Sequence, residues 1–147
     1  MSSSVSAPPL DQPYYGAPLG AAVRRFFAKY ATFTGRASRS EYWWWWLVAA
    51  VVNFVLQILA LVTGGLKAGS DGAVVVGTGL GIVFLVLVII WGLGTIVPGI
   101  AVLVRRLHDS NHSGFWVFIG LVPLVGGLIL FIFTLLGPNP EGARFDR

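Results

Sequence analysis

Residues 108–112 read His-Asp-Ser-Asn-His, and this run holds the side chains best suited to chemistry. On a helix, histidines four residues apart share a face and can bind one zinc ion, with an intervening acid as general base. Aspartate is shorter than the usual glutamate, no convincing third ligand follows, and the residues from Asp109 to Gly114 are typical of a turn. A Ser/His/Asp triad is equally unsupported, because neighbours in one tight loop need not reach the required geometry. We therefore expect no catalytic residue, no metal and no cofactor.

A structural role for the same loop requires fewer assumptions. Arg105 and Arg106 precede it, where cations suit the carboxyl end of a helix and can meet anionic headgroups. We predict that Asp109 pairs with one nearby arginine, leaving the other guanidiniums for lipid phosphates or for a partner's acids. We call the group the polar clasp, and it consists of Arg36, Arg39, Arg105, Arg106, His108 and Asp109.

The composition places the loop in a membrane protein. Of 147 residues, 56% are hydrophobic and only 11% are charged, whereas soluble domains carry about 25% charged residues. The apolar residues fall in runs long enough to cross a bilayer. The chain has no cysteine, which excludes disulfides and thiolate metal sites. Its net charge of +4 comes from basic residues flanking apolar runs, which indicates membrane orientation and anionic lipid rather than nucleic acid.

The amino-terminal region divides into a tail and a helix. Residues 1–20 are rich in Ser, Pro, Gly and Ala and lack a signal-peptide pattern, so we predict a disordered tail. Residues 21–34 place Phe26, Phe27 and Tyr30 on one helical face, with Arg24 and Arg25 on the other. This pattern predicts an amphipathic helix in the membrane interface. Ser38 and Glu41 then have capping-box spacing before the first apolar run.

Three apolar runs predict three transmembrane helices, over about residues 42–63, 79–104 and 115–136. The expected fold is an all-α integral membrane protein with one interfacial amphipathic helix and three transmembrane helices. A single membrane domain covers 21–140, and a polar tail covers 141–147. Three spans place the amino terminus and residues 105–114 on one side, which the positive-inside rule makes cytoplasmic, with the carboxyl terminus outside.

Two motifs carry a resemblance to a known family. "FTGRASRSEYWWW" (33–45), "RRLHDSNHSGFW" (105–116) and the Pro/Gly-interrupted third run resemble the bacterial inner-membrane family called domain of unknown function 805, over about residues 22–145. The resemblance implies a small multi-span protein of the inner (plasma) membrane with no established activity. The family's pattern corresponds here to Gly35, Arg36, Arg39, Tyr42, Trp43, Arg105, Arg106, Leu107, His108, Asp109, Ser113, Gly114 and Trp116.

These features favour a non-enzymatic interaction or scaffold protein. Its basic cytoplasmic face would contact anionic lipid, a membrane-protein partner or a second copy of the chain, and not nucleic acid. One alternative is a small transporter or proton relay that uses His108 and Asp109, although relays place ionisable groups at membrane depth rather than at span ends. Another is a membrane metalloenzyme based on residues 108–112.

Overall fold

A computed structural model describes residues 7–77 and 79–146. In chain order the elements are α1 (Leu19–Ala28), α2 (Arg39–Val62), β1 (Leu66–Ala68), β2 (Val74–Val76), α3 (Leu80–Asp109), a 3₁₀ helix (Gly114–Leu121), α4 (Val125–Leu135) and a second 3₁₀ helix (Pro140–Phe145). The residues group into two compact units: one contains residues up to Trp45 and from Val97 onward, the other Trp46–Ile96.

Helices α2 and α3 are long and apolar enough to cross a membrane. Their 24 and 30 residues correspond to about 36 and 45 Å, against a hydrocarbon core of ~30 Å. Only 11% and 6% of their most apolar windows are buried, whereas core helices of soluble proteins bury such surface. The two helices correspond to the first two predicted spans.

The start of α2 follows the predicted capping box. Ser38 Oγ accepts a hydrogen bond from the Glu41 amide at 3.2 Å, and Glu41 Oε2 accepts one from the Ser38 amide at 2.9 Å. These reciprocal bonds satisfy two donors that a helix start leaves free. The prediction is confirmed, and the helix begins at Arg39.

The predicted third span, residues 115–136, is wrong as a single helix. A 3₁₀ helix ends at Leu121, Leu124 has a φ of 64°, and α4 has only 11 residues, or about 17 Å. The chain reverses direction there: a Cβ on Gly126 would lie 1.7 Å from the carbonyl oxygen of Ile119. The Trp116 ring also packs edge-on against Phe133 at 5.5 Å. Residues 114–135 therefore form a helical hairpin whose two ends lie together.

The helical hairpin determines where the carboxyl-terminal segment lies. The Asn139 amide donates to the Asp109 carbonyl at 2.7 Å, and the Gly35 amide donates to the Phe145 carbonyl at 2.7 Å. Residues 139–146 thus pack beside the end of α3 and the loop before α2. The predicted placement of the carboxyl terminus on the opposite side from residues 105–114 is therefore not supported.

The amino-terminal elements pack more closely than the sequence predicts. Helix α1 ends at Ala28 rather than at residue 34, and Arg25, expected on its solvent face, is buried. Phe26 stacks on the Trp45 ring, because α1 lies against the start of α2. The location of α1 at a membrane interface stays a prediction.

The segment before α1 is not a free tail over its described part. The Arg25 guanidinium donates to the carbonyls of Pro8, Pro9 and Gln12, and the Ala17 amide donates to Ser40 Oγ. These bonds correct the prediction of a disordered tail for residues 7–20. Residues 1–6 lie outside the described residues.

The second unit contains a β-hairpin that the all-α prediction misses. Strands β1 and β2 pair antiparallel, with Leu66 opposite Val76, and the Gly69 amide donates to the Ala73 carbonyl at 2.6 Å. Three consecutive valines, residues 74–76, have the β-branched side chains that favour strands. The observed fold is therefore mostly helical with one short hairpin between α2 and α3.

Candidate functional site

Arg106 and Asp109 form an ion pair at the end of α3. Arg106 Nη1 lies 2.8 Å from Asp109 Oδ2, and both side chains are fully buried. The Tyr15 hydroxyl donates to Asp109 Oδ1 at 2.6 Å. Arg106 also donates to the carbonyls of Thr134, at 3.2 Å, and Leu136. Among the arginines predicted as partners of Asp109, Arg106 forms the pair, and it ties α3 to the end of α4.

Arg36 forms a second ion pair, with Asp146. Its Nε lies 2.9 Å from Oδ1 and its Nη2 lies 2.6 Å from Oδ2, so the contact is bidentate. These hydrogen bonds raise the pKa of the half-buried Arg36 above its ordinary value. The sequence interpretation missed Asp146, because its distance along the chain gave no signal of contact.

The remaining members of the polar clasp also contact the protein itself. Arg39 Nε donates to the Leu136 carbonyl at 2.9 Å. His108 Nδ1 lies 3.0 Å from the Gly35 carbonyl, to which it donates, and its ring stacks on Phe145 at 4.0 Å. His108 and Asp109 therefore have separate partners rather than forming a titrating pair.

The two histidines do not share a helical face. Helix α3 ends at Asp109, and the chain turns at Asn111, which has a φ of 61°. His112 stacks on Phe133 at 4.3 Å, and its Nδ1 lies 3.0 Å from Ser110 Oγ. Among residues 7–77 and 79–146, no three His, Asp or Glu side chains are grouped so that they could hold a metal.

Arg105 and Arg106 are buried in the protein. Their residues are 1% and 0% exposed, so neither guanidinium lies at the exposed surface, and the contact of these side chains with membrane phosphates stays a prediction. Arg105 Nε donates to the Ala101 carbonyl at 3.1 Å. Among the residues that the structure describes, the exposed arginines are Arg24, Arg39 and Arg144.

A third ion pair joins α1 to α2. Arg25 Nε lies 2.5 Å from Glu41 Oε1, and both side chains are buried. Glu41 Oε2 accepts from the amides of Tyr14, at 3.0 Å, and Ser38, at 2.9 Å. The sequence assigned Glu41 to helix capping and missed this second role, because Arg25 was placed on a solvent face.

Lys29 follows α1 and is only 3% exposed. Its Nζ has no hydrogen-bond partner among the described residues. Burial, and then the nearby Arg105, lower the pKa of Lys29 to about 8. The side chain therefore remains mostly protonated at neutral pH.

His108 also borders an apolar cavity of about 420 Å³. Phe33, Val104 and Phe115 contribute to its lining, and His108 and Ser113 are its polar side chains. The lining suits an apolar group rather than a charged substrate.

Comparisons with known proteins agree with the membrane character of the chain. A family model described as "Protein of unknown function (DUF805)" matches residues 30–147. The chain is 35% identical to inner membrane protein YhaH of Escherichia coli K12, over 79% of this chain and 85% of the relative. It is 33% identical to inner membrane protein YhaI of the same strain, over 71% of this chain and 74% of the relative. No solved structure matches the chain.

Proposed function

The chain belongs to the DUF805 family and is an inner membrane protein of unknown function like its relatives, and on that premise we propose a non-enzymatic interaction role. The observation that carries the proposal is the state of Asp109. Both of its carboxylate oxygens are bonded, to Arg106 and to Tyr15, and the side chain is fully buried. A catalytic acid or a proton carrier needs access to substrate or water, whereas a structural ion pair does not.

The ion pairs support a role as an internal scaffold. Three ion pairs connect different parts of the unit: Arg25 with Glu41, Arg36 with Asp146, and Arg106 with Asp109. In the third pair the connection is made by Arg106, which also donates to the carbonyls of Thr134 and Leu136. Buried pairs of this kind fix the relative positions of elements more than they add stability. We propose that they hold a rigid platform at one end of the membrane helices.

The exposed arginines of this platform form its contact surface. We call Arg24, Arg39 and Arg144 the basic face, and we propose that it lies at the cytoplasmic surface against anionic lipid headgroups. A membrane-protein partner or a second copy of the chain could use the same cations. Lys67, in the β-hairpin, is the basic residue that stands between α2 and α3.

The proposed orientation follows from α2 and α3 crossing once each. Both ends of the chain then share one side of the membrane with the basic residues other than Lys67, which satisfies the positive-inside rule. Since the chain has no native cysteine, single cysteines can report the side. We expect Ser70→Cys to react with an impermeant maleimide in intact cells, and Thr32→Cys and Ala143→Cys to react only after permeabilisation. Labelling of Ala143→Cys in intact cells would contradict this orientation.

The basic face is tested by the lipids that the protein retains. In nanodiscs containing phosphatidylglycerol and phosphatidylcholine, native mass spectrometry should show enrichment of the anionic lipid on the wild type. Changing Arg24, Arg39 and Arg144 to glutamine should lower this enrichment about fivefold per arginine, because each cation near an anionic surface contributes ~1 kcal/mol. Lys67→Gln removes a cation outside the basic face and serves as the comparison, with a smaller loss of enrichment expected than for the triple variant. Unaltered enrichment in the triple variant would remove lipid contact from the proposal.

A further inference from the structure

Among the described residues, none of the ion pairs includes the buried cations Lys29 and Arg105. Lys29 is 3% exposed and Arg105 is 1% exposed, and Lys29 Nζ and Arg105 Nη2 have no hydrogen-bond partner among the described residues. Burying a charged donor without an acceptor is costly, so folded proteins satisfy such groups with protein atoms, water or a ligand. An unsatisfied buried cation therefore indicates that something else binds beside it.

The nearby carboxylate of Glu41 is already committed. Its Oε1 accepts from Arg25 at 2.5 Å, and its Oε2 accepts from two backbone amides. Arg105 lowers the pKa of Lys29 and Glu41 raises it, which places the three charges within electrostatic range. Three buried cations, Arg25, Lys29 and Arg105, thus share one buried carboxylate. The cluster keeps an excess of positive charge that an anion would neutralise.

A cavity gives access to Lys29 from the surface. It has a volume of about 230 Å³, and its lining includes Lys29, Thr32, Thr34 and Asp11. A water molecule occupies about 30 Å³, so a tetrahedral anion fits inside. The threonines bring hydroxyl groups that can donate to an anion's oxygens. Asp11 brings a negative charge to the rim and would oppose an anion.

We propose that Lys29, in this cavity, forms a binding site for a phosphoryl group, carried by a lipid headgroup or by free phosphate. Lys29 supplies a compact charge with three donors, and the buried Arg105 adds positive charge within electrostatic range of it. The site is separate from the basic face, so it does not depend on the proposed function.

The site can be tested on the full-length protein in a neutral detergent at pH 7, where Lys29 is protonated. Thermal unfolding is followed while inorganic phosphate is added at constant ionic strength with chloride, and separately while phosphatidylglycerol is added against phosphatidylcholine. We expect a saturable rise in Tm in at least one series, and the series that responds identifies the source of the phosphoryl group. Lys29→Gln should weaken the apparent affinity about tenfold, because a charge-assisted hydrogen bond is lost.

Two further variants are matched to this one. Arg24→Gln removes an exposed charge from α1 and should leave the apparent affinity unchanged. Asp11→Asn removes the opposing charge at the rim and should tighten binding severalfold, and because Asp11 is exposed this variant should fold even if Lys29→Gln does not. The absence of saturable stabilisation of the wild type in both series would overturn the proposal. Equal stabilisation of the wild type, Lys29→Gln and Asp11→Asn would overturn it too, by showing a non-specific salt or lipid effect.

Discussion

Asp109→Asn is expected to lower the free energy of unfolding by about 3–5 kcal/mol, the usual cost of removing one partner from a buried ion pair. The change preserves the shape of the side chain but leaves the guanidinium of Arg106 without a counter-charge in a fully buried place. It also weakens the acceptor of the Tyr15 hydroxyl, whose pKa burial and Asp109 now raise. Chemical denaturation in dodecyl maltoside measures the effect as a shift of the midpoint at constant slope.

The matched comparisons are Arg106→Gln and His112→Gln. Arg106→Gln should destabilise the protein to a similar extent, and the double variant should cost less than the sum of the two changes, because neither charge is then left alone. His112→Gln should cost less than about 1 kcal/mol, since its ring has neither an ion pair nor full burial. A damaging His112→Gln change with loss of a bound metal would restore the metalloenzyme alternative.

The second large effect is expected at Gly126, where the helical hairpin closes. A Cβ there would lie 1.7 Å from the carbonyl oxygen of Ile119 and 2.7 Å from its carbon. Both are backbone atoms, so relief requires moving the 3₁₀ helix away from α4. We expect Gly126→Ala to lower the free energy of unfolding by about 3 kcal/mol, at the upper end of overpacking costs.

The adjacent glycine provides the control. A Cβ on Gly127 would meet no atom within 4 Å, so Gly127→Ala should change stability by less than about 1 kcal/mol. The same denaturation experiment compares the two variants. Similar stabilities for Gly126→Ala and Gly127→Ala would mean that residues 114–135 do not form a tight hairpin.

Local chemistry allowed part of this architecture to be predicted. The Ser38–Glu41 capping box depends on residues three positions apart, so its spacing specified the start of α2. The length of the apolar runs likewise predicted two helices that are long and apolar enough to cross a membrane. The length of an apolar run does not show whether the chain continues in one direction. Residues 115–136 are apolar enough for a span, but the chain turns back at Pro123 and Leu124. The predicted placement of the carboxyl terminus on the opposite side depended on this third span and loses its support.

In the polar clasp, only contacts between residues close in the sequence could be predicted. Its residues were identified because charge is rare in this chain, and the pair of Arg106 with Asp109 is three residues apart. The other contacts are distant: Tyr15 is 94 residues from Asp109, and Arg36 is 110 residues from Asp146. No spacing rule connects such positions. For the same reason the burial of Arg105 and Lys29 depends on packing between elements that the sequence alone does not bring together.

The pair between Arg36 and Asp146 has a consequence for biosynthesis. Arg36 leaves the ribosome before either long helix has been made, whereas Asp146 is synthesised after both. The loop before α2 therefore cannot form this ion pair while α2, the β-hairpin and α3 are being synthesised and inserted. This contact can therefore form only late in biosynthesis, and until then the guanidinium of Arg36 lacks its carboxylate partner.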